Sequence, residues 1–593
     1  MARTPATPSQ DRDGGDAVMP KPGAAPPISA REMFTPKLVT AFREGYDLSA
    51  FKADAVAGLT VAIVALPLSM AIAIASGVSP DRGLTTAIVG GFLVSLFGGS
   101  RFQIGGPAGA FILLVAATVA AHGIEGLILA TFLSGLILAA LGALRLGTFI
   151  KYIPYPVTVG FTAGIAVVIA ATQLKEFFGL TLAGPEPGEL VAKLGALADA
   201  APTLDPPTLV IALMTLGLIV LVRHFRPHWP SLLIAVAAGT VAATAAGLDI
   251  ATIGSRFGGI PSSLPMPRLP DFSLEMVIAV LPAAVSFALL GAIESLLSAV
   301  VADSMSGRRH RSNGELVAQG IANVGASLFG GFCVTGTIAR TATNVRAGAR
   351  SPVAGMLHAA FLLAFVLVAA PLAAYIPLAA LAAVLLFVAW NMAERHEMLS
   401  LLRSSRGDAL VLSVTFLLVI FVDLTTGIVV GFALGALLFL HRMAGAVTVE
   451  GGHAPLVEPD QADREAGTGA QPFGEALVRD PEIFVCRISG AFFFGAAGSV
   501  GSVLDRIAER PRAFVLDMTA VPFLDSSGAA TIIGFTRKAR RDGALLLIAG
   551  AGEATRRMLS VQQEKTAPPL RFAATVAQAV SAARADLDAA STA

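Results

Sequence analysis

From Asp54 to Leu440 the chain alternates long apolar runs with short charged or Pro/Gly-rich breaks. A helix needs about 20 predominantly apolar residues to cross the ~30 Å hydrocarbon core of a bilayer. Splitting the region by that rule predicts fourteen spans. They begin near Ala55, Leu84, Pro107, Gly126, Phe149, Thr208, Pro230, Leu274, Gly314, Thr335, Val353, Ile376, Ala409 and Gly427. After His441 the pattern changes. "EGGHAPLVEPDQADREAGTGAQPFGE" reads as a polar linker. "EIFVCRISG", "RAFVLDMTAV" and "ALLLIAG" then read as buried strands, alternating with the helical patterns "AGSVGSVLDRIAER", "SSGAATIIGFTRKARRDG" and "VAQAVSAARADL". Strand–helix alternation with short turns predicts a small α/β sheet domain. The expected organisation is a tail over 1–50, a membrane domain over 51–445, a linker over 446–481 and a soluble domain over 482–593.

Composition agrees with a polytopic membrane protein: 55% of the 593 residues are hydrophobic and only 14% charged. Soluble domains carry nearer a quarter charged. The first forty or so residues are rich in Pro, Gly and Ala and lack the apolar core of a signal peptide, so a disordered tail is expected. With that tail in the cytoplasm, alternate loops hold Arg101; Arg145 and Lys151; Arg223 and Arg226; Arg308, Arg309 and Arg311; Arg346 and Arg350; Arg395, Arg403 and Arg406. The opposite loops hold fewer cations, which is the positive-inside bias. An even number of spans returns the C-terminal domain to the cytoplasm, and the expected location is the inner (plasma) membrane. Cys333 and Cys486 fall in different regions, which excludes a disulfide framework. His122, His224, His228 and His358 have no ligand spacing, so no metal or other cofactor is expected. No nucleophile–base pair suggests an enzyme.

Two spans look wrong for ordinary helices. "QIGGPAGAFILLVAATVAAHG" starts at Gly-Gly-Pro and is short. "GGFCVTGTIARTATNVRAGARSP" starts at Gly330-Gly331 and carries Thr335, Thr337, Arg340, Thr341, Thr343 and Asn344. Each is the third span of its half if the fourteen divide seven and seven. Short, Gly/Pro-interrupted segments in matching positions point to a transporter site between inverted repeats. A half-helix ending at mid-membrane aims unpaired N–H groups and its positive dipole end at a cavity, and two such ends make an anion site.

Glu294 interrupts the apolar run "ALLGAIESLLSAVVAD". An ionised carboxylate at membrane depth costs a few kcal/mol or far more, so it faces a cavity, pairs with a cation or holds a proton. Ser298 lies four residues on, on the same helical face, whereas Ser295 is turned by about 100°. The bland reading is an interhelical hydrogen bond; the functional one is a proton-loading carboxyl. Arg340 either neutralises an anion, pairing with Glu294 when the site is empty, or snorkels toward Arg346 and Arg350. Pro67 interrupts the first span beside Ser69, which alone is a common membrane-helix feature. In "FLDSSGAATIIG" an acid or hydroxyl caps a helix N-terminus; phosphorylation of a serine there is the sharper alternative.

These segments together resemble the SulP family of anion transporters with their C-terminal STAS domain. The resemblance runs from about Phe51 to Ala585 and is carried by "VALPLSMAIAIASGVSP", "FGGSRFQIGGPAGAF", "IPYPVTVGFTAGIAV", "GAIESLLSAVVADSMSGRRHRSNGELVAQGIANVGASLFGG", "TGTIARTATNVRAGARSP" and "LDMTAVPFLDSSGAATI". It implies seven plus seven inverted spans, a core domain moving elevator-fashion against a gate domain, and a homodimer. Family substrates are small anions: sulfate, bicarbonate, chloride and dicarboxylates. Carried onto this chain, the site comprises Ser69 and Ile72; Pro107, Ala108 and Gly109; Glu294 and Ser298; and Thr337, Ile338, Ala339 and Arg340. Sodium-driven bicarbonate members have Asp at Glu294 and Thr at Ser298, and lack the arginine; glutamate resembles the proton-coupled members. Proton symport is therefore expected, although Ser298 keeps a hydroxyl and a sodium site stays open. Leu68 stands where glutamine is common, which counts against sulfate. The STAS resemblance places the phosphorylatable serine at Ser526 and leaves room for a cytoplasmic protein partner. Rival readings are sodium-coupled bicarbonate uptake, an uncoupled exchanger or channel, and a membrane-tethered regulator. Nothing suggests a nucleic-acid partner.

Overall fold

The computed structural model describes residues 30–148, 153–184, 186–227, 229–451, 454–455, 482–505, 511–563 and 568–592. Residues 1–29 of the expected tail, 456–481 of the expected linker and the predicted span start at Phe149 lie outside them. The chain divides into two compact units: residues 1–153, 162–394 and 419–425, and residues 154–161, 395–418 and 426–593.

The first unit opens with α1 (Ala30–Phe34) and α2 (Lys37–Arg43), followed by the long α3 (Leu48–Ala75). Most of residues 30–43 is thus helical rather than tail. Arg311 explains their order: its Nη1 donates to the Thr35 carbonyl at 2.7 Å and the Thr40 hydroxyl at 3.1 Å. The Lys37 N–H also reaches the Gly98 carbonyl at 2.9 Å. Next come α4 (Pro80–Thr85), a π-helical turn (Thr86–Gly90), α5 (Gly91–Phe97), strand β1 (Gly105–Gly106) and α6 (Ile112–Ala143). Helical geometry breaks inside α6 at Gly123 (φ 69°, ψ −171°), between the spans predicted near Pro107 and Gly126. Helices α7 (Tyr155–Phe178), α8 (Leu190–Asp199), α9 (Pro206–Phe225), α10 (Ser231–Ala245), α11 (Ile253–Phe257) and α12 (Leu274–Ser306) lead to α13 (Ser312–Leu328). Strand β2 (Thr335–Gly336) precedes α14 (Ile338–Arg346), α15 (Val353–Ala373) and α16 (Leu378–Met392). Among the described residues, 8 helices are long and apolar enough to cross a membrane. α14, with 9 residues, is far too short.

Close packing in this unit depends on small residues, as expected where lipid removes the hydrophobic drive between helices. Gly135 of α6 and Gly320 of α13 meet backbone to backbone. A Cβ at Gly320 would lie 2.6 Å from both the Ala139 nitrogen and the Gly135 carbonyl. We expect Gly320→Leu to lower thermal stability by about 1–3 kcal/mol or to prevent folding. Gly217→Leu on exposed α9, where nothing lies within 4 Å, should leave the melting transition in detergent unchanged. At the start of α3, buried Asp54 accepts from Tyr46 Oη (2.9 Å), the Arg350 N–H (2.6 Å), the Ser351 N–H (3.1 Å) and Ser351 Oγ (2.5 Å). Its carboxylate fastens α3 to the turn before α15.

The second unit contains the first residues of α7 (to Phe161), α17 (Arg395–Ser404) and most of α18 (Arg406–Phe421) and of α19 (Leu424–Gly445), then an α/β domain. That domain is a 6-stranded sheet of order β4-β3-β5-β6-β7-β8. β5 (Ile483–Ser489), β6 (Ala513–Ala520) and β7 (Leu545–Ala549) match the three predicted strands; β8 (Arg571–Ala573) completes the parallel part. Parallel neighbours require crossovers. α20 (Phe494–Asp505), α21 (Ser526–Arg541) and α22 (Glu553–Gln562) supply them, and α23 (Val576–Thr592) closes the chain. One apolar core lies under α20 and α21, around Ile488, Leu516 and Ile532, and another under α23, around Val515 and Ala583. β3 (Thr448–Gly451) pairs antiparallel with β5 and with β4 (Ala454–Pro455), so sheet structure begins inside the stretch expected as linker.

Cys333 and Cys486 are both buried. Burial, with Asp517 nearby, pushes the Cys486 thiol up to about 12, so almost no thiolate forms near neutrality. Maleimide should label neither cysteine in the folded protein at pH 7.5, and both after denaturation, as read by intact mass.

Candidate functional site

The two irregular spans meet. β1 pairs antiparallel with β2, with Gly105 opposite Gly336 and Gly106 opposite Thr335. Each two-residue strand leads directly into a helix: β1 through Pro107 and Ala108 into the 3-10 turn Gly109–Phe111 and α6, β2 through Thr337 into α14. A pairing of extended backbone at membrane depth is tolerated only where protein surrounds it. All four paired residues are buried, as are Ile104, Ala108 and Thr337.

Neither helix start carries a side-chain cap. This contrasts with α3, α9 and α12, capped by Asp47, Asp205 and Ser273. The first N–H groups of a helix have no intrahelical acceptor, and together with the dipole they favour an anion. Two such ends start side by side here. On the first turn of α14, Ala339 is exposed and Ile338 half-buried, while Arg340 points into the protein.

Arg340 is 1% exposed. Its Nη2 donates to Ser69 Oγ at 3.1 Å and to the Pro107 carbonyl at 3.4 Å. The residue therefore joins α3, the start of the first broken span and the start of the second. Its Nε and Nη1 are buried without a partner among the described residues. The expected pairing with Glu294 is not formed; the guanidinium instead reaches across to α3, because α14 begins at Ile338 and not at Thr335, which places Arg340 in the first turn. Gly106 makes room for it, since a Cβ there would collide with Nη1. Ser69 and Ile72 lie one turn apart on the buried part of α3. Gly109 faces Ile169 and Met392, whose nearest atoms would lie 3.1 Å and 3.6 Å from a Cβ at that position.

α12 backs the strand pair. Ser298 Oγ donates to Thr341 Oγ1 at 3.0 Å, and Thr341 Oγ1 accepts the Ile104 N–H at 3.1 Å. Glu294 is 7% exposed and has no hydrogen-bond donor or cation among the described residues. An ionised carboxylate so placed costs far more than a protonated one.

Some of the side chains that hold the strand pair together, Ser295, Thr335 and Asn344, were given no role from the sequence. Ser295 holds β2 in place: its hydroxyl accepts the Gly336 N–H at 3.1 Å and meets Thr335 Oγ1 at 2.9 Å. Thr335 Oγ1 also reaches the Gly291 carbonyl at 3.2 Å. The turn of about 100° that separates Ser295 from Glu294 aims it at the strand. Asn344 donates to the Phe102 carbonyl at 2.9 Å, and the Thr337 N–H to the Ile104 carbonyl at 2.9 Å, stitching α14 to the stretch before β1. Polar residues at i, i+4 and i+7 (Thr337, Thr341, Asn344) were the available signal.

In the α/β domain Asp525 is the cap of α21: its Oδ1 accepts the Gly528 N–H at 2.9 Å and its Oδ2 the Phe494 N–H at 3.0 Å. Ser526 is the first helical residue and is exposed. Among the described residues no group of three or more His, Cys, Asp or Glu is placed to hold a metal ion.

Comparison with known proteins agrees with this layout. A sequence model of the sulfate permease family matches residues 51–415, and one of the STAS domain matches residues 476–579. A putative sulfate transporter of Bacillus subtilis is 40% identical over 515 residues, covering 86% of this chain and 93% of that protein. The bicarbonate transporter BicA of Synechocystis is 32% identical over 525 residues, covering 86% and 90%. Among solved structures, the transmembrane domain of a cyanobacterial BicA superposes with a TM-score of 0.57 at 32% identity, over 66% of this chain and 98% of that one. The murine anion transporter Slc26a9 in its inward-facing state superposes with a TM-score of 0.80 over 96% and 97%; at 18% identity it speaks for the fold alone.

Proposed function

The chain belongs to the sulfate permease family of sulfate and bicarbonate transporters, a multi-pass membrane domain followed by a STAS domain, and on that premise we propose that it is a proton-coupled symporter of a small anion. One observation carries the proposal. Arg340 is buried at the uncapped start of α14, beside the uncapped start of the α6 segment, with Nε and Nη1 unengaged. Two helix ends and one cation make the environment rich in donors and positive in sign, which suits an anion and repels a cation. In this reading Ser69, Ile72, Pro107, Ala108, Gly109, Thr337, Ile338 and Ala339 line the anion, and Arg340 neutralises it.

Glu294 supplies the coupling. It lies on the helix that Ser295 and Ser298 tie to β2 and α14, so its charge state is felt at the anion site. Protonation on the outer side removes a buried charge that opposes anion entry; release on the inner side restores it and expels the anion. The reading includes fourteen spans in two inverted halves, elevator motion of a core against a gate domain, a homodimer in the plasma membrane, and both termini in the cytoplasm. The exposed Ser526 at a helix start suits phosphorylation, and the STAS domain offers a site for a cytoplasmic partner.

A sodium-coupled bicarbonate symporter is the second reading, favoured by the similarity to BicA and by the Ser298 hydroxyl. Against it, that hydroxyl already donates to Thr341, and Glu294 is the only carboxylate on α12 between Glu275 and Asp303. A sodium ion wants several oxygens. Reconstitution in liposomes separates the two. Uptake of labelled sulfate, bicarbonate and fumarate is measured with an inward proton gradient, an inward sodium gradient, or neither. Proton-driven uptake of one anion is expected; uptake driven by sodium alone replaces the first reading with the second.

A further inference from the structure

Val334, the residue before β2, is buried, and buried backbone at membrane depth needs partners for its N–H and its carbonyl. One side chain supplies both. Asn323 of α13 accepts the Val334 N–H at 2.9 Å through Oδ1 and donates from Nδ2 to the Val334 carbonyl at 2.8 Å. Nδ2 also donates to the Gln319 carbonyl at 2.8 Å. A primary amide has an acceptor oxygen and two N–H donors, so its whole donor capacity is in use. Asn323, itself buried, thus stands in for a neighbouring strand beside Val334.

The same helix holds the approach to the other strand. Glu315, buried in the first turn of α13, accepts the Ser100 N–H at 3.0 Å through Oε2 and Gln319 Nε2 at 3.0 Å through Oε1. Ser100 lies on the stretch that leads into β1. Glu315, Gln319 and Asn323 follow one another at intervals of four and form one polar stripe along the helix. α13 is in turn pinned to α6, the helix of the first broken span. A Cβ at Gly135 would lie 2.8 Å from the Val324 nitrogen, and one at Gly320 would lie 2.6 Å from the Gly135 carbonyl. Gly320 and Val324 bracket Asn323. One helix therefore meets α6 backbone to backbone and, at the same level, clasps the entry to β2.

We propose that Asn323 is a positioning residue for Arg340 and the anion, and that through it α13 fixes where the second broken span starts relative to the first. From Val334 the chain runs through β2 and Thr337 into the first turn of α14, where Arg340 sits. A shift of Val334 against α6 displaces that turn, and with it the guanidinium, from Ser69 and the Pro107 carbonyl. Ser295 holds Thr335 and Gly336 from α12, so Asn323 adds a second, independent hold on the same strand. It acts through the backbone and not on the anion. The positioning rests on the anion-site reading above; the clasp on Val334 does not.

The test has two arms on the full-length protein. In lipid nanodiscs, amide hydrogen exchange over residues 333–337 is expected to be about tenfold faster in Asn323→Ala than in the wild type. Asn323→Asp, whose protonated carboxyl offers one donor and one acceptor, is expected to restore the protection. Unchanged exchange in Asn323→Ala overturns the clasp. In liposomes, uptake is measured for whichever of labelled sulfate, bicarbonate or fumarate the wild type carries. Asn323→Ala is expected to raise KM about tenfold with kcat changed less than about twofold, and Asn323→Asp to return KM most of the way. If Asn323→Ala does not fold, Asn323→Ser takes its place; its short hydroxyl meets at most one of the two Val334 groups, and a rise of about threefold is expected. Unchanged KM, or a fall in kcat and thermal stability alone, overturns the positioning role. Arg340→Ala separates the two readings. Wild-type affinity in Arg340→Ala sinks the anion-site reading, whereas raised KM in Arg340→Ala beside unchanged KM in Asn323→Ala sinks only the role of Asn323.

Discussion

Arg340→Ala is expected to raise the concentration of anion needed for half-maximal uptake by about 10- to 100-fold, the usual value of a hydrogen bond to a charged group. The lost guanidinium is the one positive side chain of the site, and its Nε and Nη1 are the unengaged donors. Loss of its bonds to Ser69 and to the Pro107 carbonyl also loosens α3 from the first broken span. Arg340→Lys separates these effects. It keeps the charge but offers no planar pair of donors, so it should recover part of the affinity for a singly charged anion and less for an oxyanion that takes two bonds. Radiolabelled uptake over a concentration series reads both. Equal affinity in wild type and Arg340→Ala, with both proteins folded, would leave the helix ends as the whole of the site and remove Arg340 from it.

The second large effect concerns coupling. A pH difference of one unit is worth about 1.4 kcal/mol per proton, enough for about tenfold accumulation of an anion moved without net charge. Glu294→Gln mimics the protonated carboxyl and has nothing to release. It is expected to bring the accumulation ratio to about one under the same gradient, while exchange of labelled for unlabelled anion persists. Glu294→Asp should retain coupling with slower turnover, because the side chain one methylene shorter draws the carboxyl back toward the α12 backbone. Accumulation by Glu294→Gln equal to wild type would make the carboxylate a structural group.

Much of the arrangement around the two broken spans was legible in the sequence. A carboxylate inside an apolar run is expensive wherever it sits, so Glu294 announces itself. The Gly-Gly-Pro and Gly-Gly starts betray the two broken spans for the same reason: they interrupt patterns that lipid otherwise enforces. The order of strands and helices after Glu482 followed from alternation. The residues that join these parts were not legible. Arg340 meets the Pro107 carbonyl across 233 positions of sequence, and Ser298 meets Thr341 across 43. Periodicity describes one element at a time and is silent about such pairings. It therefore allowed an Arg340–Glu294 pair that does not form, and it set Ser295 aside although Ser295 holds β2. β3 was missed because Thr448–Gly451 is short and follows directly on the last membrane helix. Helices α1 and α2 were missed because their order comes from Arg311, some 270 residues away. The π-helical turn over Thr86–Gly90 has no sequence signature.

The central claim is that one proton travels with the anion through Glu294. It is tested most directly by trapping a pH-sensitive dye inside proteoliposomes and adding the transported anion outside, at equal pH and with sodium absent. The account predicts acidification of the lumen that follows anion uptake in the wild type, and uptake of anion without acidification, or no net uptake, in Glu294→Gln. Anion entry into wild-type liposomes with no change in internal pH, unaltered by the mutation, would contradict it.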